Sequence, residues 1–273
     1  MKTATKWVTG LAALGMAAGI SAAEGNKIVV DGSTTVGPIV KAFAEYYMGK
    51  HPEINITVSE SGSGNGAKSL INAACDVASM SRPMKNSEMK AAQDAGILPI
   101  EHIVAMDGIA LVVHPSNPIG KLTIEQIRGI YTGKIKNWKD LGGPDQAIVV
   151  ISRDTNSGTY ETFETLVMNK EKMGEKAEYV GSGGAIRQRV MSTPAAIGYV
   201  GLAFLEGVKA VTVNGVEVNA ETVGTAKYPV SRPLYLYTNG RPKAGTPLHD
   251  FVTLSATAEG KTIVEDTGFV PMK

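Results

Sequence analysis

Three segments of the chain combine glycine with serine or threonine just before a stretch with a helical pattern. They are Gly32-Ser33-Thr34-Thr35, Ser61-Gly62-Ser63-Gly64-Asn65-Gly66 and Ser157-Gly158-Thr159. The first N–H groups of a helix lack partners within the helix and carry partial positive charge, so a helix start attracts oxyanions. Glycine lets the backbone approach a ligand closely, and short hydroxyl side chains add donors. The repeated pattern therefore predicts an anion-binding site.

Two arginines accompany these segments. Arg153 precedes the third turn, and Arg82 follows a short segment that ends at Ser81. A guanidinium group offers a planar fork of donors that suits the oxygens of phosphate or of a carboxylate. A surface salt bridge is the alternative role for each arginine.

The elements that must position these donors are indicated by the hydrophobic pattern. Short apolar runs alternate with helical patterns, which indicates an α/β fold. Strands are predicted at 27–30, 54–58, 76–80 and 148–152, each followed by one of the polar segments. Donors that converge at the carboxyl ends of parallel strands would surround a small tetrahedral anion.

Two further runs predict strands that cross between lobes. The run from His102 to His114 is longer than a usual strand of about 5–6 residues, and Asp107-Gly108 in its middle predicts a bend. Residues 233–238 form the second candidate crossing strand. The length of the chain exceeds the usual size of one hydrophobic core, so one large or two moderate domains are expected.

Residues 1–23 have the pattern of a cleaved signal peptide. Lys2 and Lys6 flank an apolar, small-residue segment that extends from Trp7 to Ile20, and Ser21-Ala22-Ala23 has the small-x-small form of a cleavage site. An N-terminal anchor helix is the alternative, although a span needs about 20 strongly apolar residues. No cysteine stands at the junction to carry a lipid, so we expect a free periplasmic protein.

Charge and composition argue against several functional classes. Removing residues 1–23 takes two of the 27 basic residues and none of the 26 acidic residues, so the net charge falls from +1 to −1. This balance gives no electrostatic footprint for nucleic acid or for a membrane surface. The only cysteine, Cys75, is expected in the core without a disulfide partner. The four histidines lack metal-ligand spacing, so no metal site is expected.

Other ligands and an enzymatic role fit the sequence less well than an anion site. Gly62-x-Gly64-x-x-Ala67 fits a loose dinucleotide fingerprint, but the acidic residue expected about 20 positions later is missing. No Gly-x-Ser-x-Gly elbow with an assignable His and Asp is found. A secreted phosphatase that uses the same anion pocket stays the enzymatic alternative.

Several segments together resemble one family, the periplasmic phosphate-binding proteins of high-affinity phosphate ABC transporters. The segments that carry the likeness are Asp31–Val36, Ser61–Gly66, Ser79–Pro83, Tyr131–Trp138, Arg153–Thr159 and Thr193–Val200. They occur in the family's order over nearly all of the chain after residue 23. The likeness is specific for the family and less specific for the ligand, so sulfate or arsenate stays open.

The resemblance implies a type II periplasmic binding protein fold, with two α/β lobes joined by two crossing hinge strands. We expect residues 24–105 and 232–273 to form the first lobe and residues 106–231 the second. The implied function is capture of inorganic phosphate between the lobes and delivery to the membrane permease of an ABC transporter. A monomer without a cofactor is expected, and a sensing or scavenging role without transport is the alternative.

Carried over residue by residue, the family's anion donors fall on hydroxyl, guanidinium and helix-start positions of this chain. The expected phosphate ligands are Ser33, Thr34, Thr35, Ser63, Ser81, Arg82, Arg153, Ser157, Gly158 and Thr159.

The chain departs from the family pattern at two positions. Some members have an aspartate at the position of Ser81, and that aspartate accepts the proton of hydrogen phosphate and so rejects sulfate. They have a second aspartate at the position of Thr155, and it holds the arginine in place. A site discriminates in this way when the wrong ligand leaves one of its buried polar groups without a hydrogen-bond partner. We therefore expect another acceptor, and Asp107 is the candidate. A turn or hinge role is the alternative for Asp107.

Overall fold

The computed structural model describes residues 24–273, and the predicted signal peptide at 1–23 lies outside the described residues. The strands are β1 (Lys27–Gly32), β2 (Asn55–Ser59), β3 (Val77–Met80), β4 (Pro99–Gly108), β5 (Ala110–Val113), β6 (Lys121–Leu122), β7 (Val149–Arg153), β8 (Glu178–Val180), β9 (Ala196–Val200), β10 (Lys209–Ala210), β11 (Thr212–Val213) and β12 (Ser231–Asn239). The α-helices are α1 (Gly37–Lys50), α2 (Ser63–Ile71), α3 (Asn86–Asp94), α4 (Ile124–Tyr131), α5 (Gly158–Leu166), α6 (Gly183–Met191), α7 (Ala220–Gly224), α8 (Pro247–Thr253) and α9 (Ala258–Asp266). Within residues 24–273, no helix is long and apolar enough to span a bilayer.

The strands form two five-stranded sheets and a two-stranded β11–β6 pair. The first sheet has the order β2-β1-β3-β12-β4, in which β1, β2 and β3 are parallel and β12 is antiparallel to both neighbours. The second sheet has the order β10-β5-β9-β7-β8, and β7 is parallel to β8 and β9. Parallel neighbours align their carboxyl ends, so each sheet has one edge suited to a ligand site.

Each sheet has its own hydrophobic core, which is the reason the chain forms two α/β lobes. In the first lobe, Pro38 at the start of α1 sets the first turn, and Ile39 and Phe43 bury one face of the helix against the sheet. In the second lobe, Trp138 and Tyr199 are fully buried in a separate cluster. Burying side chains of this kind contributes about 1.5–3 kcal/mol each.

The segment 102–114 forms two strands instead of one. β4 belongs to the first sheet and ends at Gly108, and β5 begins at Ala110 in the second sheet. Between them the Ile109 N–H donates to the Val230 carbonyl oxygen at 2.8 Å. The chain therefore passes from one sheet to the other at the predicted bend. The predicted lobe limits, 105/106 and 231/232, lie near these passages and stay predictions.

Candidate functional site

The polar turns of the first lobe meet because their strands are parallel neighbours. β1 leads to Ser33–Thr35, β2 leads through Gly62 to α2, and β3 leads to Ser81. Gly62 has φ of 99°, a backbone conformation that favours glycine, and it begins α2 as its N-cap. In the same cluster the Ser81 N–H donates to Ser63 Oγ at 3.1 Å.

The second lobe contributes the start of α5. Arg153 ends β7, and the Ser157 hydroxyl caps α5 by accepting the Tyr160 N–H at 3.3 Å. Gly158 and Thr159 are the first two helical residues, whose N–H groups have no partner within the helix. At this helix start, the Thr159 side chain contacts Thr35 of the first lobe.

The two lobes are in direct contact at these turns. Thr35 Oγ1 and Thr159 Oγ1 lie 2.9 Å apart, and the Gly64 N–H donates to the Asn156 carbonyl oxygen at 3.0 Å. A Cβ atom at Gly158 would lie 2.5 Å from Ser63 Oγ and 2.7 Å from Ser81 Oγ. The approach of the lobes therefore requires glycine at this position.

Most of the predicted donors are removed from bulk water in this arrangement. Seven predicted residues are at most 2% exposed: Ser33, Thr35, Ser63, Ser81, Arg153, Ser157 and Thr159. The Thr34 hydroxyl oxygen is also buried and has no hydrogen-bond partner among residues 24–273. An unpaired buried hydroxyl costs about 1–3 kcal/mol, so this group is available to a ligand.

Arg153 is a buried cation without a close carboxylate. Its Nε and Nη2 groups donate to the carbonyl oxygens of Val180 and Gly181 at 3.3 and 2.8 Å. The nearest carboxylate that it contacts, that of Asp154, lies 4.0 Å away and is 40% exposed. Burial lowers the pKa of the Arg153 guanidinium from its usual value, because desolvation disfavours the charged form. A bound anion would compensate this charge.

A second buried arginine, Arg232, was missed by the sequence analysis. It lies on β12 directly opposite Asp107 on β4, and its Nε and Nη2 groups donate to Asp107 Oδ2 at 3.1 and 2.8 Å. Nη2 also donates to Thr159 Oγ1 at 2.9 Å, and Nη1 donates to the Ser81 carbonyl oxygen at 3.0 Å. Arg232 therefore binds both lobes. Its signal in the sequence was a charged residue directly before the predicted crossing strand at 233–238, and the observed strand begins earlier, at Ser231.

Asp107 lies at the base of the cluster and is fully buried. Its Oδ2 accepts from Arg232, and its Oδ1 accepts the Leu202 N–H at 3.0 Å. Burial raises the pKa of the Asp107 carboxyl, and the charge of Arg232 acts in the opposite direction. The carboxylate thus holds an arginine, and its proposed role as acceptor of a phosphate proton stays a prediction.

Arg82 lies beside the cluster, but its guanidinium faces away from it. Nη1 and Nη2 each donate to the Glu88 carboxylate at 2.7 Å, and Nε lies 2.8 Å from Glu161 Oε2. This last contact is an ion pair without the alignment of a hydrogen bond. Direct contacts therefore link six of the ten predicted ligands, and the charged ends of Arg82 and Arg153 contact groups outside this set. The six are Ser33, Thr35, Ser63, Ser81, Gly158 and Thr159.

A cleft of about 760 Å³ opens next to Arg82, and none of the serine and threonine residues predicted as ligands lines it. Its walls include Glu161 from α5 and Arg232 from β12. No group of three or more His, Cys, Asp or Glu side chains that could hold a metal ion occurs within residues 24–273.

Known proteins match the chain over most of its length. A sequence profile of the PBP superfamily domain matches residues 17–259. The phosphate-binding protein PstS of Staphylococcus saprophyticus is 35% identical over 255 residues, which cover 89% of this chain and 79% of that protein. This chain belongs to the phosphate-binding protein family. Its relative PstS from Bacillus subtilis is 32% identical and covers 90% of this chain and 80% of its own length.

Solved structures agree with this membership of the phosphate-binding protein family. A putative phosphate ABC transporter substrate-binding protein with bound phosphate from Clostridium perfringens superposes with a TM-score of 0.84 at 35% identity, covering 91% of this chain and all of its own. An ABC-type phosphate transport receptor from Vibrio cholerae has a TM-score of 0.74 at 30% identity and covers 90% of this chain and 100% of its own. The predicted type II periplasmic binding protein fold is confirmed.

Proposed function

We propose that this protein captures inorganic phosphate between its two lobes and delivers it to the membrane permease of an ABC transporter. The observation that carries the proposal is Arg153, a buried cation that only carbonyl oxygens and a distant, half-exposed carboxylate contact. The unpaired Thr34 hydroxyl supports it, as do the helix starts of α2 and α5.

The proposed ligand set combines donors from both lobes. Ser33–Thr35, Ser63 and Ser81 belong to the first lobe, and Arg153 and Ser157–Thr159 belong to the second. We include Arg232 as a further cation at the base of the site, held by Asp107. Binding is thereby coupled to closure, because an anion that contacts both lobes stabilises the closed form over the open one.

The proposed role is capture without catalysis, by a monomer in the periplasm. The chain's relatives are phosphate-binding proteins by name. The hydroxyl groups of Thr35 and Thr159, and those of Ser63 and Ser81, contact each other, and no histidine is among their described partners to act as the general base that a hydroxyl nucleophile needs.

Calorimetry with phosphate and with sulfate tests the proposal. We expect saturable phosphate binding by the wild type, and Arg153→Met should weaken it by at least about 100-fold, since a charge-assisted contact in a buried site is lost. Arg187→Met is the control, because Arg187 is a second-lobe arginine that pairs with the exposed Glu206. Tighter binding of sulfate than of phosphate, or unchanged phosphate affinity in Arg153→Met, would contradict the proposal.

A further inference from the structure

An ion-pair network joins the two lobes at the rim of the cleft, outside the hydroxyl cluster. Arg82 and Glu88 belong to the first lobe, and Glu161 lies on α5 in the second. Glu161 Oε2 lies 2.8 Å from Arg82 Nε and 2.7 Å from Lys85 Nζ. A carboxylate of the second lobe is thus held between two cations of the first.

The inner part of this network is shielded from water. The side chains of Arg82, Glu88 and Glu161 are 5%, 17% and 14% exposed, whereas Lys85 is 51% exposed. Charge pairs at partly buried positions are screened by salt far less than surface pairs. Salt therefore weakens the pair of Arg82 with Glu161 less than it weakens an exposed pair, and the more exposed pair of Lys85 with Glu161 adds little to the contact between the lobes.

Glu88 prepares Arg82 for this contact. The bidentate pair of Arg82 with Glu88 lies within the first lobe, so opening of the cleft leaves it intact. Arg82 consequently keeps one orientation in the open and the closed form, and forming the contact with Glu161 costs little side-chain entropy. Glu88 also neutralises the charge of Arg82 within the first lobe, so this charge stays paired when the cleft opens.

We propose that Glu161 is a closure residue, which sets phosphate affinity by stabilising the closed form without contacting the anion. The inference rests on the proposed function, since it assumes a ligand that binds when the lobes close. Arg82 then serves as the first-lobe half of a latch and not as an anion ligand. Favouring the closed form raises the fraction of molecules that hold the ligand and slows its release.

The test compares Glu161→Gln with the matched control Glu164→Gln. Glu164 lies one helical turn away on α5, and no ion pair of its side chain occurs among residues 24–273. Phosphate affinity is measured by calorimetry, release by stopped-flow fluorescence, and closure by the radius of gyration from small-angle X-ray scattering, with and without phosphate.

For Glu161→Gln we expect phosphate to dissociate about 10–30-fold faster, with a nearly unchanged association rate, because losses at a closed interface appear mainly in the off-rate. The phosphate-to-sulfate affinity ratio should stay that of the wild type, which a direct anion contact would not allow. The ligand-free protein should have a larger radius of gyration than the wild type. Glu164→Gln should behave as the wild type in all three measurements.

Failure of the latch is distinguishable from failure of the proposed function. Wild-type off-rates and compactness in Glu161→Gln, with phosphate binding intact, would overturn the latch alone. Absence of phosphate binding by the wild type would overturn the proposed function. The radii of gyration of the ligand-free wild type and of Glu161→Gln would still test whether Glu161 stabilises the closed form. A changed anion ratio in Glu161→Gln would instead place this residue among the anion contacts and overturn the proposal.

Discussion

Replacing Asp107 by asparagine separates two roles of this carboxylate, holding Arg232 and reading the phosphate proton. Asp107 is fully buried, and Arg232 is 4% exposed. The substitution removes the negative charge that neutralises the guanidinium, while the amide keeps one oxygen as an acceptor. Breaking a buried pair by removing one partner costs about 3–5 kcal/mol, and we expect the lower end because an acceptor remains.

This magnitude translates into a measurable change of thermal stability. For a chain of this size, each 1 kcal/mol shifts the unfolding midpoint by about 2–4 °C, so Asp107→Asn should lower Tm by about 6–12 °C. Phosphate should recover part of the loss, because the anion then supplies the charge that Arg232 lacks. Asp154→Asn is the control, since Asp154 is 40% exposed and should shift Tm by less than about 2 °C.

The anion preference of the same variant decides the role in recognition. If Asp107 acts by holding Arg232, the affinities for phosphate and sulfate should fall by a similar factor and their ratio should persist. Calorimetry near pH 7 measures both affinities. A collapse of the ratio together with an unchanged Tm would refute the reasoning and assign the proton-accepting role to Asp107.

Two further predictions concern the contact between the lobes and the donor set. Gly158→Ala should weaken phosphate binding by about 100-fold or more with little loss of stability, because the added methyl group meets Ser63 and Ser81 only when the cleft closes. The control Gly184→Ala, whose Cβ has only an ordinary contact at 3.8 Å, should bind phosphate as the wild type does. Equal phosphate affinities of Gly158→Ala and the wild type in calorimetry would contradict the geometry. Thr34→Val should leave Tm unchanged or slightly raised, since the hydroxyl has no protein partner to lose among residues 24–273, and it should weaken phosphate binding by about 5–100-fold. A fall in Tm with unchanged phosphate affinity would show that the hydroxyl stabilises the fold and does not bind the anion.

Much of the site follows from local rules that a sequence carries. Pro38 at the start of α1 and the Ser157 cap of α5 are local signals, and the structure has both helices where these signals predict them. The convergence of the turns follows from the parallel pairing of β1 with β2 and β3. These features depend on neighbouring residues or on a general property of α/β sheets.

The two arginines that differ from expectation depend on contacts between distant segments. Arg232 faces Asp107 because of the register between β4 and β12, which no local pattern specifies. The guanidinium of Arg82 turns toward Glu88 and Glu161, and the second of these lies on the other lobe. The partner of a long side chain depends on how the lobes pack against each other. The sequence therefore indicates a cation near the site but does not indicate which way its guanidinium points.

The hydrogen bond between Ile109 and Val230 has a consequence for the order of folding. It places the beginning and the end of the second lobe side by side, so that lobe is an insertion that leaves and re-enters the first sheet at one point. Pairing β4 with β12 across an unfolded insertion would carry the entropy cost of closing a very long loop. Once the insertion has folded, its own ends bring the two strands together and the pairing becomes local. We therefore expect pulse-labelled hydrogen exchange to show protection in β5, β7 and β9 before protection in β12.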